Sequence, residues 1–215
     1  MMRVPDGMVF IVDDDPLIRD SIKQLIKSVG LQVSTFSSAR EFLDGDIPDI
    51  PGCLILDIRM PQISGLELQD ELNKQGLKLP IIFISGHGTV PMSVRAMKAG
   101  AIDFLQKPFE DQQLLDAIHH AIEKDSQSRL VQREIEEIDK NLALLTSREH
   151  EVLLLVAAGM LNKQIASKLN LSENTIKTHR ARIMKKMHAE SLADLVRKTE
   201  KINLQTKSPA PVNYS

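Results

Sequence analysis

The sequence predicts an α/β domain, a five-stranded parallel doubly wound sheet, followed by an all-α domain of four helices. Short apolar runs and amphipathic stretches alternate five times between residues 8 and 121, the pattern of a parallel sheet covered on both faces. From residue 146 to 202 the apolar spacing is helical throughout. Charge divides at the same place: residues 1–145 carry 15 Lys and Arg against 23 Asp and Glu, whereas residues 146–215 carry 12 against 6. A net charge of −2 thus conceals an acidic part and a basic part suited to a polyanion.

The first strand is 8–12, and a helix over 16–29 follows with Leu17, Ile18, Ile22, Leu25, Ile26 and Val29 on one face. Gly30 stops it. Strand 32–36 leads to a short helix after Ser37 that carries Phe42 and Leu43. Strand 53–57 leads to helix 64–75, ended by Gly76. Strand 81–85, helix 91–99, strand 102–105 and a helix from Asp111 complete five βα units, joined by right-handed crossovers. The helical pattern then runs on through Ile122, Val131, Ile135, Ile138, Leu142 and Leu145, with no Gly or Pro between 124 and 137. It predicts a largely exposed linker helix over 123–143 that pairs with a copy of itself.

In the basic part, Thr146-Ser147-Arg148-Glu149 has the form of a capping box. The helix it opens buries Val152, Leu153, Leu155 and Val156. Asn162 is expected to cap a second helix and Ser172 a third, with Ile176, Ile183, Met184 and Met187 facing inward. A fourth begins near Ser191, and residues 203–215 read as a disordered tail. The domain limits expected are an extension over 1–7, an α/β domain over 8–122, the linker, and a helical domain over 144–202.

Composition narrows the classes. The lone Cys53 excludes an intrachain disulfide. No apolar run approaches the ~20 residues that span a bilayer, and residues 1–7 lack a signal-peptide core. A soluble cytoplasmic protein with no membrane partner is the expectation.

The chemistry gathers at strand ends. Asp13-Asp14-Asp15, Asp57, Ser85 and Lys107 each end or follow an apolar strand, and the carboxyl edge of such a sheet is where ligands bind. Clustered carboxylates need a cation to stay ionised together, and oxygen ligands alone favour a hydrated hard ion such as Mg²⁺. Asp57 as nucleophile, with the ion and Lys107 neutralising equatorial oxygens and Ser85 donating a hydrogen bond, suits phosphoryl transfer onto Asp57. A metal role for His87 fails for want of a second His or Cys beside it, and His119 and His120 fall on a polar helix face.

Residues 162–182 read helix, turn, helix. Opposite Ile176, Ile183 and Met187, the second helix collects Asn174, Lys177, Thr178, Ala181, Arg182 and Lys185. Polar side chains near its start suit base edges, and cations further along suit phosphates, as a major-groove recognition helix requires. His179 falls nearer the core and is read as packing.

Val12-Asp13-Asp14-Asp15-Pro16, Leu56-Asp57-Ile58-Arg59-Met60-Pro61, Ser85-Gly86-His87-Gly88 and Lys107-Pro108-Phe109 resemble bacterial response-regulator receiver domains, the FixJ-type subgroup in particular. The resemblance implies a flavodoxin-like fold, Asp57 as phosphoacceptor, and Asp14, Asp57 and the Arg59 carbonyl as Mg²⁺ ligands with Asp13 acting through water. It also implies a switch pair, Ser85 and Phe104, and a cis peptide before Pro108. Ser85 stands where this subgroup often has Thr.

Asn162-Lys163-Gln164-Ile165-Ala166 and Thr175-Ile176-Lys177-Thr178-His179-Arg180 resemble the LuxR-type helix-turn-helix domain. That likeness adds Lys163 and Thr175 to the DNA-binding set and makes the last helix a dimerisation element. The partners implied are a sensor histidine kinase, double-stranded promoter DNA, RNA polymerase and, on phosphorylation, a second copy. Two other classes fit the pattern less well. A haloacid-dehalogenase-type phosphatase needs Asp-x-Asp on its first strand and a cap, whereas Asp13-Asp14-Asp15 runs into Pro16. A degenerate receiver is opposed by the complete set of acids with Ser85 and Lys107. A regulator is therefore expected rather than an enzyme.

Overall fold

The computed structural model describes residues 7–86 and 88–206, in two units, Met1–Arg129 and Leu130–Ser215. In the first unit, among the described residues, β1 (Met8–Val12), β2 (Gln32–Phe36), β3 (Gly52–Asp57), β4 (Ile81–Ser85) and β5 (Asp103–Gln106) form one sheet in the order β2-β1-β3-β4-β5. Every pairing is parallel. Successive side chains of a strand leave on opposite faces, so the strands feed two cores. Phe10, Val12, Leu54, Leu56 and Phe83 pack with α2 (Ala39–Leu43), α3 (Gly65–Lys74) and α4 (Val90–Lys98). Val9, Ile11, Ile55, Ile82 and Ile84 pack with α1 (Pro16–Ser28) and the first part of α5 (Asp111–Ala143).

The strand order reverses beside β1: the chain passes outward to β2 and returns to β3 on the other side. That switch point opens a crevice at the carboxyl ends of β1 and β3. Gly30 supplies the positive φ of 82° that ends α1. Residues 52 and 65 must also be small. A Cβ on Gly52 would lie 2.6 Å from the Met8 carbonyl oxygen, and one on Gly65 would overlap the Asp57 carbonyl oxygen.

The long helix corrects one expectation. Asp125, buried, accepts the Gly52 N–H at 2.9 Å and Arg129 Nε at 2.7 Å, and Arg129 also pairs with Asp49. The start of the predicted linker is therefore fastened to the sheet's lower edge. Further along, Ile135 and Ile138 are buried, and Leu142 and Leu145 pack against the second unit's core. Much of the stripe expected to pair with a copy is thus covered within this chain, because apolar surface close to its own core is buried there first. Leu130 and Val131 remain exposed.

The second unit adds α6 (Ser147–Ala157), α7 (Asn162–Leu169), α8 (Glu173–Lys186) and α9 (Leu192–Thr206) around Val152, Leu153, Val156, Ile165, Ile176, Ile183 and Met187. The capping box is present: Glu149 N–H donates to Thr146 Oγ1 at 3.3 Å, and Thr146 N–H donates to Glu149 Oε2 at 2.9 Å. Asn162 does not cap α7. Its Oδ1 accepts the Arg180 guanidinium at 2.5 Å, and Gln164 takes the Leu161 N–H instead. Helix α9 runs to Thr206, so the expected tail is helical over its first residues, and residues 207–215 lie outside the described residues. His87 and residues 1–6 also lie outside them. Among the described residues no helix is long and apolar enough to cross a membrane.

Candidate phosphoryl-acceptor site and nucleic-acid interface

Strand β3 is buried along its whole length and delivers Asp57 to the switch-point crevice. Asp57 Oδ2 accepts the Arg59 N–H at 2.6 Å, and Oδ1 accepts Lys107 Nζ at 2.8 Å. The same ammonium reaches Asp13 Oδ2 at 2.7 Å. Lys107 is held in turn by its own N–H on the Ser85 carbonyl at 2.8 Å, and the peptide before Pro108 is cis, as the resemblance implied. Burial pushes the Asp57 carboxyl above its ordinary pKa, and the neighbouring Asp13 charge adds to this against the pull of Lys107. Burial would lower Lys107, but its bonds to Asp13 and Asp57 outweigh that and hold its pKa above the ordinary value.

Asp14 is exposed at the mouth, and among the described residues no hydrogen bond or ion pair commits it. Arg59 is exposed and Ser85 is buried at the end of β4. The half-buried Phe104 ring lies 6.5 Å from that of Phe83 and against Gly88, where a Cβ would stand 2.7 Å from it. The structure therefore joins Asp13 and Asp57 through Lys107, sets Asp14 just past β1 and Ser85 at the end of β4, and places Phe104 within β5, paired with Phe83. No three or more His, Cys, Asp or Glu side chains converge as a metal cage among the described residues. The donor set is oxygen only, with two buried carboxylates sharing one ammonium and an exposed third at the rim, which fits a hydrated hard cation better than a soft one.

Sequence reasoning missed two residues here. Gly65 lets the start of α3 close on the Asp57 backbone, with its N–H donating to the Ile58 carbonyl at 3.0 Å. A glycine directly after the Ser64 cap, where helix formers are preferred, was the available signal. Arg19 reaches the Asp13 carbonyl at 2.6 Å, a contact that no local pattern announces.

On α8, Asn174, Lys177, Thr178, Arg182 and Lys185 are exposed, and Lys163 is exposed on α7. Thr175 is half-buried with its hydroxyl 2.8 Å from that of Ser172, which caps the helix. His179 is half-buried, as expected of a packing residue. Internal pairing sorts the cations of this unit. Lys186 pairs with Glu149, Lys198 with Asp194, Lys201 with Glu134 and Arg148 with Glu151. Lys163, Lys168, Lys177, Arg182 and Lys185 form no ion pair among the described residues, so α7 and α8 carry uncompensated positive charge.

A buried aspartate crevice joined to a helix-turn-helix with an uncompensated basic face defines a DNA-binding signalling protein. Residues 9–119 match the response regulator receiver domain, and residues 143–199 match the bacterial regulatory proteins of the luxR family. Nodulation protein W of Bradyrhizobium diazoefficiens is 50% identical over 198 residues, covering 92% of this chain and 87% of that protein. The transcriptional regulatory protein FixJ of Azorhizobium caulinodans is 42% identical over 195 residues, covering 90% and 92%. The solved structure of the response regulator StyR superposes with a TM-score of 0.82 at 46% identity, covering 91% of this chain and 99% of that one. The chain belongs to the response-regulator family, with a receiver domain and a LuxR-type DNA-binding domain, and is a two-component transcriptional regulator. A kinase upstream and DNA downstream follow from those domains, and receiver domains generally depend on Mg²⁺.

Proposed function

We propose that Asp57 accepts a phosphoryl group from a phosphohistidine of a sensor kinase, and that the chain acts in the cytoplasm as a regulator rather than as a turnover enzyme. The observation that carries the reading is the Lys107 ammonium bridging Asp13 and Asp57 at the topological switch point. An Asp57 carboxylate oxygen attacks phosphorus, the phosphorus–nitrogen bond breaks, and the imidazole leaves with the electron pair. Asp14, Asp57 and the Arg59 carbonyl would hold Mg²⁺, with Asp13 acting through water, and the ion neutralises phosphoryl charge when bound. Lys107 supplies the second positive charge, and Ser85 donates a hydrogen bond to the transferred group.

The new group carries nearly two negative charges. Ser85 and Lys107 close on it, Phe104 turns inward, and the α4–β5 face of one copy meets that of another. A dimer presents two copies of α8 to two half-sites, which multiplies affinity through effective concentration. RNA polymerase is then the partner that responds at the promoter. Incubation with a small phosphodonor and Mg²⁺ should add one phosphoryl group by intact mass, and excess chelator should prevent it. Equal labelling of Asp57→Asn would remove Asp57 from the mechanism.

A further inference from the structure

We propose that Arg19 is a positioning residue for the acidic loop after β1, fixing where Asp14 stands relative to Asp57. The inference rests on the Mg²⁺ reading given above. Asp13 is almost fully buried, and each of its polar atoms has a partner from a different part of the first unit. Its N–H donates to the Phe36 carbonyl at 3.3 Å, Oδ1 accepts the Asp15 N–H at 2.9 Å, and Oδ2 accepts Lys107 Nζ at 2.7 Å. The carbonyl lies one residue past the end of β1, and the Arg19 guanidinium reaches it at 2.6 Å.

The peptide group is planar, so the Asp13 oxygen, the Asp14 nitrogen and the Asp14 Cα move as one body. Anchoring that oxygen fixes the point from which the Asp14 side chain departs. Asp15 restrains the far side, because its carboxylate caps α1 by accepting the Leu17 N–H at 2.8 Å. Asp14 is therefore the one carboxylate of the three without a hydrogen bond among the described residues, held between two anchored neighbours. Arg19 acts on it through the backbone alone.

Charge and position predict opposite signs. A cation near the crevice repels a divalent ion, so a purely electrostatic Arg19 would weaken Mg²⁺ binding, and its removal would tighten it. A positioning Arg19 does the reverse, as groups that orient metal ligands do, with losses of about ten- to a hundredfold on removal.

The test titrates Mg²⁺ into the unphosphorylated full-length chain and follows amide chemical shifts around Asp57, with thermal unfolding of each variant recorded beside it. Arg19→Met keeps the aliphatic stem and removes the donors. It should raise the Kd for Mg²⁺ about tenfold, and Arg19→Lys, which restores a donor and the charge, should recover most of that loss. An unchanged or lower Kd in a folded Arg19→Met overturns the proposal. Should Arg19→Met fail to fold, Arg19→Ala decides, because alanine is the best helix former and removes the donors: a Kd above wild type supports the proposal, and an unchanged or lower Kd overturns it. If the wild-type chain itself binds no Mg²⁺, the functional reading falls and this inference with it. If the wild type binds and the variants match it, only the role of Arg19 falls.

Discussion

Lys107 Nζ stands 2.8 Å from Asp57 Oδ1 while also holding Asp13 at 2.7 Å, so one ammonium serves two buried carboxylates. The side chains in direct contact in the crevice are two carboxylates to one ammonium, before the exposed Asp14 is counted. That shortfall favours a cation in the resting protein, and it means that the charge on Asp57 is maintained at a cost to the fold.

Asp57→Asn should therefore be more stable than wild type at neutral pH. The Asp57 pKa is raised in the folded state, first by burial, so ionisation disfavours folding. The penalty is absent below the ordinary value of 3.8 and grows as pH rises through the folded pKa. Urea unfolding in chelator across acidic and neutral pH should show the advantage of the variant shrinking toward acid. A wild type more stable than the variant at neutral pH would contradict this.

Gly65→Ala should disturb the site through its backbone. The added Cβ meets the Asp57 carbonyl oxygen, a rigid neighbour. A cost of about 1–3 kcal/mol is the usual scale for such overpacking, accompanied by slower phosphodonor labelling. Denaturant unfolding and intact mass measure the two effects, and full retention of both would mean that α3 can retreat freely.

Acid should weaken the second unit through Glu149. The Lys186 ammonium, followed by the Thr146 N–H, holds its pKa at about 2, below the ordinary 4.5. A lowered carboxylate pKa contributes stability that is fully present above 4.5 and is lost as pH falls toward about 2. Glu149→Gln should be the less stable protein at neutral pH, and the gap should close through that window. A gap independent of pH would assign Glu149 to packing alone.

On DNA, Lys177 and Lys185 should behave differently. Lys177→Ala should cost ~1–3 kcal/mol at the specific site and blur preference at one base position. Lys185→Ala should weaken specific and random DNA alike and reduce the salt slope by about one. Binding isotherms over a range of salt separate these outcomes. Equal losses on random DNA with preference intact would mean that α8 does not read bases.

Much of this was legible from local pattern. The short continuous apolar runs of β1, β3 and β4, buried on both faces, located the sheet. The acids after β1 and at the end of β3, with Lys107 after β5, located the crevice, because strand ends of a parallel sheet converge at one edge. The helix caps at Ser172 and Thr146 were equally local, as each involves bonds across only three residues.

Neighbours along the chain set the elements, their faces, the residue types at the strand ends, and the division of charge. Tertiary structure alone decided which long-range partner each polar group took. Asn162 had the right chemistry to cap α7, yet the Arg180 guanidinium claimed it from a residue 18 positions away. Asp125 looked like one more linker charge, yet it is buried on the Gly52 N–H. The linker stripe had the spacing for a second copy, and its own domain covered much of it. For Asn162 and Asp125 the long-range partner prevailed because a polar group withdrawn from water without a partner costs more than a displaced cap, and for the linker stripe apolar burial close to its own core prevailed.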